Sequence, residues 1–132
     1  MSETESTFQG YMTALLEGGD FAAYFSDDVV WTTMETGEEV RGRDNVRDLI
    51  VNLHTQIFKA TPELRSLVVG DGAVALEATF NGTHVGDYQG VPATGRTVNI
   101  SYAIFYTLVG DRITAFHAYW PEAALVRLLR EG

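Results

Sequence analysis

The stretch from Leu76 to Trp120 sets what this chain can fold into. Val74, Leu76, Ala78 and Phe80 alternate with Glu77, Thr79 and Asn81. Ile100, Tyr102, Ile104, Tyr106 and Leu108 then alternate with Ala103 and Phe105, and Ile113–Trp120 repeats this two-sided habit. Period-two runs rich in β-branched and aromatic residues are strands. Gly90-Val91-Pro92-Ala93-Thr94-Gly95-Arg96 and Gly110-Asp111-Arg112 punctuate them as turns. The economical solution is a strongly curved, largely antiparallel sheet with both faces covered.

The preceding residues supply the cover. Phe8, Tyr11, Met12, Leu15 and Leu16 form a helical stripe. A first helix is predicted from a Ser6 or Thr7 cap to about Glu17, ended by Gly18-Gly19. Asp20 can cap a short helix over Phe21–Phe25. A strand is expected over Val29–Met34. A third helix follows from an Asp44 cap to about Lys59, with Pro62 closing it, and Leu64–Val69 is a further strand. Strands at Val74–His84, Arg96–Leu108 and Arg112–Trp120 lead to a C-terminal helix from Pro121 to about Leu129. Helices segregated beside a run of strands indicate an α+β fold.

At 132 residues the chain is long enough for one domain, 1–132, with a real core. A formal charge of −9 argues against nucleic acid and anionic membrane surfaces as partners. No apolar run approaches the roughly 20 residues of a membrane span. Met1–Gln9 lacks the apolar segment of a secretory signal, so a cytoplasmic location is expected. The absence of cysteine excludes thiolate chemistry. The three histidines come from separate elements without close spacing, so no metal is expected, and no cofactor motif is present.

Several strings carry a family resemblance: Gly82-Thr83-His84-Val85-Gly86, Gly90-Val91-Pro92-Ala93-Thr94-Gly95-Arg96, Asp111-Arg112-Ile113, Leu15-Leu16-Glu17-Gly18-Gly19-Asp20, Phe25-Ser26-Asp27-Asp28-Val29 and Arg41-Gly42-Arg43-Asp44. Together they resemble the SnoaL-like polyketide cyclases, within the nuclear transport factor 2-like superfamily. The resemblance implies a cone: a bent sheet wrapped by helices around a deep apolar pocket, commonly paired into homodimers. It also implies where catalytic carboxylates would stand. The last-strand aspartate of limonene-epoxide hydrolases and SnoaL-type cyclases aligns with Ala118. The hydrolases' arginine and second aspartate align near Ala78 and Phe80. The ketosteroid isomerases' base aligns with Thr33, while their helix-one tyrosine aligns with Tyr11, which is retained. Without those carboxylates, neither epoxide hydrolysis nor steroid isomerisation by the usual route is expected.

Histidine and tyrosine remain. His84 continues the parity of Phe80, so it is either a base at the pocket rim or a loop histidine bonded to backbone. His54 shares the helical face of Ile50 and either reaches the pocket or flanks the core. His117 alternates outward with Ala115 and Tyr119. Asp87 and Glu35 are the acids expected near the cone mouth. The inward set is predicted as Tyr11, Leu15, Trp31, Thr33, Ile50, His54, Phe80, Tyr102, Ile104, Phe116 and Trp120, with His84 at the rim and His84, His54 and Tyr11 as candidate acid–base groups. An apolar wall with a few polar points suits a small apolar or aromatic ligand. Two function classes stay open: a His/Tyr enzyme acting on a polycyclic, aromatic or terpenoid compound, and a non-catalytic binding or dimerisation domain. Ala103, Phe105, Ala115, His117 and Tyr119 form an outer face suited to a homodimer.

Overall fold

A computed structural model describes residues 2–131. Its elements run α1 (Glu3–Leu16), a 3₁₀ turn (Phe21–Tyr24), β1 (Phe25–Thr33), β2 (Glu38–Arg41), α2 (Arg43–Asn52), a π-helical turn (Leu53–Ile57), β3 (Phe58–Val69), β4 (Ala73–His84), β5 (Thr97–Val109), β6 (Arg112–Tyr119) and α3 (Glu122–Glu131). The sheet order is β2-β1-β6-β5-β4-β3. β1 and β6 pair in parallel, with Trp31 beside Phe116 and Thr33 beside Ala118. All other pairs are antiparallel. Register shifts at Phe25/Val30, Leu64/Ser66 and Thr107/Leu108 mark irregularities of the kind that bend strands and deepen twist. The result is the expected α+β cone: an open mixed sheet with helices over its concave face.

The parity reading of β4, β5 and β6 holds. Val98, Ile100, Ile104, Tyr106 and Leu108 are buried, while Phe105 and Tyr119 are about half exposed, at 53% and 50%. The helices depart from expectation in instructive ways. α1 starts earlier than Ser6 or Thr7, because Ser2 accepts the Glu5 N–H at 3.1 Å. Thr4 and Thr7 extend the Phe8–Tyr11 stripe as buried hydroxyl residues, and the Thr4 hydroxyl accepts the Gly72 N–H at 2.9 Å. Gly42, at φ 95°, begins α2 in place of an Asp44 cap. The third helix stops being α-helical at Asn52 and continues as the π turn. There the Thr55 hydroxyl donates to the Val51 carbonyl at 2.7 Å, taking up a carbonyl near the helix end. The chain then enters β3 directly, so Pro62 lies inside a strand instead of ending a helix. β3 is an edge strand, where a missing N–H removes no ladder bond on the open side. β2 is an edge strand with too few apolar residues to show a period.

Two clusters fill the cone. At the narrow end Phe8, Tyr11, Phe25, Tyr106 and Phe116 interlock. At the wide end Phe58, Phe80, Val98, Trp120, Leu125 and Leu129 do so, with α3 laid over them. α3 is anchored from a distance. The Glu35 carboxylate accepts the Glu122 N–H at 2.8 Å and the Ala123 N–H at 3.4 Å, capping the positive end of the helix. Glu35→Ala is expected to lower stability by about 1 kcal/mol. An unchanged urea midpoint would show that the cap contributes nothing.

Candidate functional site

Between the two clusters the concave face stays open. A chamber there is lined by Tyr11, Met12, Leu15 and Leu16 of α1, and by Trp31 of β1. Ile50, Leu53 and His54 line it from α2 and the π turn, and Pro62 and Leu64 from β3. The wall is completed by Leu76, Ala78 and Phe80 of β4, Tyr102, Ile104 and Tyr106 of β5, and Ala118 and Trp120. The space open to the centre of a water molecule is about 60 Å³. One water needs about 10–15 Å³ by that measure, so the chamber holds a ring-sized group.

Its polar groups are few, and most are committed. The Trp31 indole N–H donates to the Thr33 hydroxyl at 3.1 Å. The Trp120 indole donates to the Tyr88 hydroxyl at 2.9 Å. Burial, reinforced by neighbouring Tyr102, raises Tyr11 well above an ordinary phenol. Burial pushes Tyr102 up to about 12 and Tyr106 well above its usual value. All three are therefore neutral O–H groups at neutral pH.

His54 differs. The π turn brings its ring to the chamber wall, edge-on to Phe80 with centroids 5.5 Å apart. Its Nδ1 lies 2.8 Å from the Ile50 carbonyl oxygen. A carbonyl only accepts, so Nδ1 carries the proton and Nε2 keeps its lone pair. The hydrogen bond of the ring to protein among the described residues is the one through Nδ1. Burial lowers its pKa below the usual histidine value, with the Ile50 bond opposing more weakly. His54 is thus neutral at pH 7, with a free basic nitrogen.

Tyr11, Leu15, Trp31, Ile50, His54, Phe80, Tyr102, Ile104 and Trp120 all line the chamber. Thr33, Phe116 and His84 do not. Thr33 sits beside Trp31 and receives its indole proton. Phe116 is buried deeper, stacked on Trp31 with centroids 5.3 Å apart. His84 ends β4 beyond the chamber, fully buried beside Phe58 at 5.3 Å. Its Nδ1 accepts the Thr94 N–H at 3.1 Å, which places its proton on Nε2, a buried atom without a partner. Asp87 is spent on its own turn, accepting the Gly90 N–H at 3.2 Å. Among the described residues no group of three or more histidine, aspartate and glutamate side chains is placed to hold a metal.

Sequence reasoning missed Pro62 and Leu64, because β3 was expected to begin after them or at them. It also missed Met12 and Leu53, which widen the helical stripes, and Leu76 and Tyr106, whose parity already carried the signal. Ala78 and Ala118 are 1% exposed and face the chamber.

An acid at Ala118 would be desolvated. Ala118→Asp is expected to cost about 1–3 kcal/mol at pH 8, because the carboxylate has no arranged partner. Its folded pKa would stand above the unfolded value near 4. The folded state then takes up the proton more readily, so the penalty should shrink between pH 8 and pH 5. Urea melts of variant and parent at both pH values measure this. Equal stability throughout would mean that position 118 meets solvent.

The profile of the SnoaL-like polyketide cyclase family matches residues 8–129. No curated protein matches the chain. Among solved structures, a protein assigned to the SnoaL-like polyketide cyclases from Jannaschia sp. CCS1 superposes with a TM-score of 0.84 at 15% identity, covering 100% of this chain and 97% of that one. A protein assigned as a polyketide cyclase from Pseudomonas putida KT2440 has a TM-score of 0.76 at 24% identity, with coverage of 96% and 97%. A protein assigned as a hydroxylase, AclR of Streptomyces galilaeus, has a TM-score of 0.79 at 20% identity, with coverage of 100% and 87%. These likenesses show the fold. The family match over nearly the whole length makes this chain a member of the SnoaL-like polyketide cyclase family.

Proposed function

We propose that this protein binds a small, flat, predominantly apolar molecule in the chamber and moves a proton on it through His54. The observation that carries the reading is the unclaimed Nε2 of His54 at the wall of an apolar space that also holds the Tyr11 and Tyr102 residues. A ligand bearing a carbonyl could lose an adjacent C–H proton to Nε2. The electron pair would move to the carbonyl oxygen, which Tyr11 or Tyr102 would stabilise by hydrogen bonding. His54 is favoured over His84 because the ring of His84 is tied to Thr94 away from the chamber. Pure binding without chemistry is the alternative, and it draws support from the missing carboxylates at Ala118 and Thr33.

The probe is 2-tetralone, an aromatic ketone with exchangeable protons. Binding is read from Trp31 and Trp120 fluorescence, and exchange in D₂O by NMR. His54→Gln is expected to cut exchange about 100-fold or more, with affinity held within about threefold. The wild-type rate should rise as His54 loses its proton, at a pH below about 6.5, and stay flat above. Binding with exchange only at the buffer rate leaves a binding protein. No binding refutes the reading.

We also propose a homodimer through the outer sheet face. Phe105 and Tyr119 stand edge to face with centroids 5.7 Å apart and are half exposed, with His117 beside them. Monomers seldom leave such a contiguous apolar face in water. Light scattering is expected to give a dimer at tens of micromolar and a monomer for Phe105→Glu; a monomeric wild type refutes it.

A further inference from the structure

By itself the chamber is smaller than most ligand pockets. Ligand pockets usually span about 300–1,000 Å³, against about 60 Å³ open to a water centre here. The missing room lies next door. A second space of about 460 Å³ by the same measure shares Leu15, Leu16, Ile50, His54 and Pro62 with the chamber. Those residues line both spaces, with His54 among them. The outer space is a vestibule between the end of α1, the α2–π junction and the open edge of β3.

The two compartments differ chemically. The inner one offers aromatic and aliphatic side chains with neutral hydroxyls. The vestibule adds Asp20, Arg47, Thr55 and Thr61 and the backbone of Gly18-Gly19, set among Phe21, Ala22, Val51 and Ala60. Arg47 is not a free cation: it pairs with Asp44 at 3.4 Å and Asp48 at 3.1 Å. The Asp20 carboxylate makes no cap hydrogen bond to its following turn and is an acceptor without that partner. The Thr55 hydroxyl donates to Val51, and its oxygen accepts the Gln56 side-chain N–H at 3.5 Å with one lone pair remaining. The chain as a whole carries −9. Accessible acceptors therefore outnumber cations in the vestibule, and an anionic group entering it would be repelled.

We infer that the vestibule is a second subsite, which takes an uncharged, hydroxyl-rich segment of the same ligand whose flat apolar end fills the chamber. The junction of the two parts then lies against His54. This rests on the chamber reading above and adds the ligand's class: an elongated amphipathic molecule, polar end outward, without a carboxylate, sulfate or phosphate on that end.

Calorimetric titration with three probes sharing one ring system separates the possibilities: 2-naphthol, 2-naphthyl β-glucopyranoside and 2-naphthyl sulfate. The glucoside is expected to bind at least tenfold tighter than the other two. That advantage should fall severalfold in Asp20→Asn and in Thr61→Val, with 2-naphthol affinity unchanged. Both sites are exposed, so neither substitution threatens the fold. If none of the probes binds, the chamber reading itself fails. If 2-naphthol binds but the glucoside gains nothing, or the sulfate matches it, the chamber reading stands and the vestibule inference is overturned. A glucoside advantage that survives in both variants places the polar end elsewhere and overturns it too.

Discussion

Phe116 holds the narrow end of the cone, and the rest of the site is measured from it. Its ring lies 5.2 Å from Phe25, 5.3 Å from Trp31, 5.0 Å from Tyr106 and 6.2 Å from Tyr11. Those partners belong to β1, β5 and α1, so one side chain of β6 joins most of the elements that must converge. The β1–β6 pairing is the only parallel one in the described sheet, and no short turn connects its strands. Side-chain packing must supply what a hairpin would otherwise give. The stacked and edge-to-face contacts interlock the narrow end. They also set the floor of the chamber, because the first inward residue of β6 beyond Phe116 is Ala118. Replacing a ring by a methyl group on one strand is what opens the space.

A single loop ties the two far walls together. Val85 and Gly86 both donate their N–H groups to the Ile57 carbonyl at 2.9 Å, fixing the end of the π turn that carries His54. Two residues on, the Tyr88 hydroxyl receives the Trp120 indole proton. The loop's base is closed by His84, whose N–H donates to the Arg96 carbonyl at 2.8 Å and whose ring accepts from Thr94. A Cβ at position 86 would stand 2.3 Å from the Gln56 carbonyl oxygen, so only glycine allows the close approach. The motif that carries the family resemblance is therefore scaffolding: it places a histidine and an indole that lie elsewhere in the sequence.

Parity along the strands was legible in the sequence because the sheet has one concave face, and a slip of one residue would turn every aromatic outward. Parity names a face, though, and not a depth. Thr33, Phe116 and His84 share faces with chamber residues, yet lie past its ends. The π turn was invisible because Leu53 and Ile57 keep the four-residue spacing of an α-helix. Pro62 looked like a helix stop for the same reason, since nothing local shows that a strand is an edge. His54 could be placed on the correct face from Ile50. Its tautomer could not, because that depends on which carbonyl the end of the helix leaves free.

Burial acts in opposite directions on the two kinds of base this fold can carry. A carboxylate at Ala118 would be driven towards its protonated form, losing basic population at neutral pH. An imidazole is driven towards its neutral form, so desolvation keeps His54 ready to accept a proton, though as a weaker base. The same desolvation holds Tyr11 and Tyr102 as neutral donors. On the proposed reading, the resting chamber carries no formal charge, which suits its apolar walls. Taking a proton from a ligand would create an imidazolium and an oxyanion there together, each the other's counter-ion, with Tyr11 or Tyr102 donating to the oxyanion. Such a pair is relieved when the proton returns to the ligand, at the same atom or another. On the proposed reading the chamber suits reactions in which the proton is borrowed, such as isomerisation or ring closure.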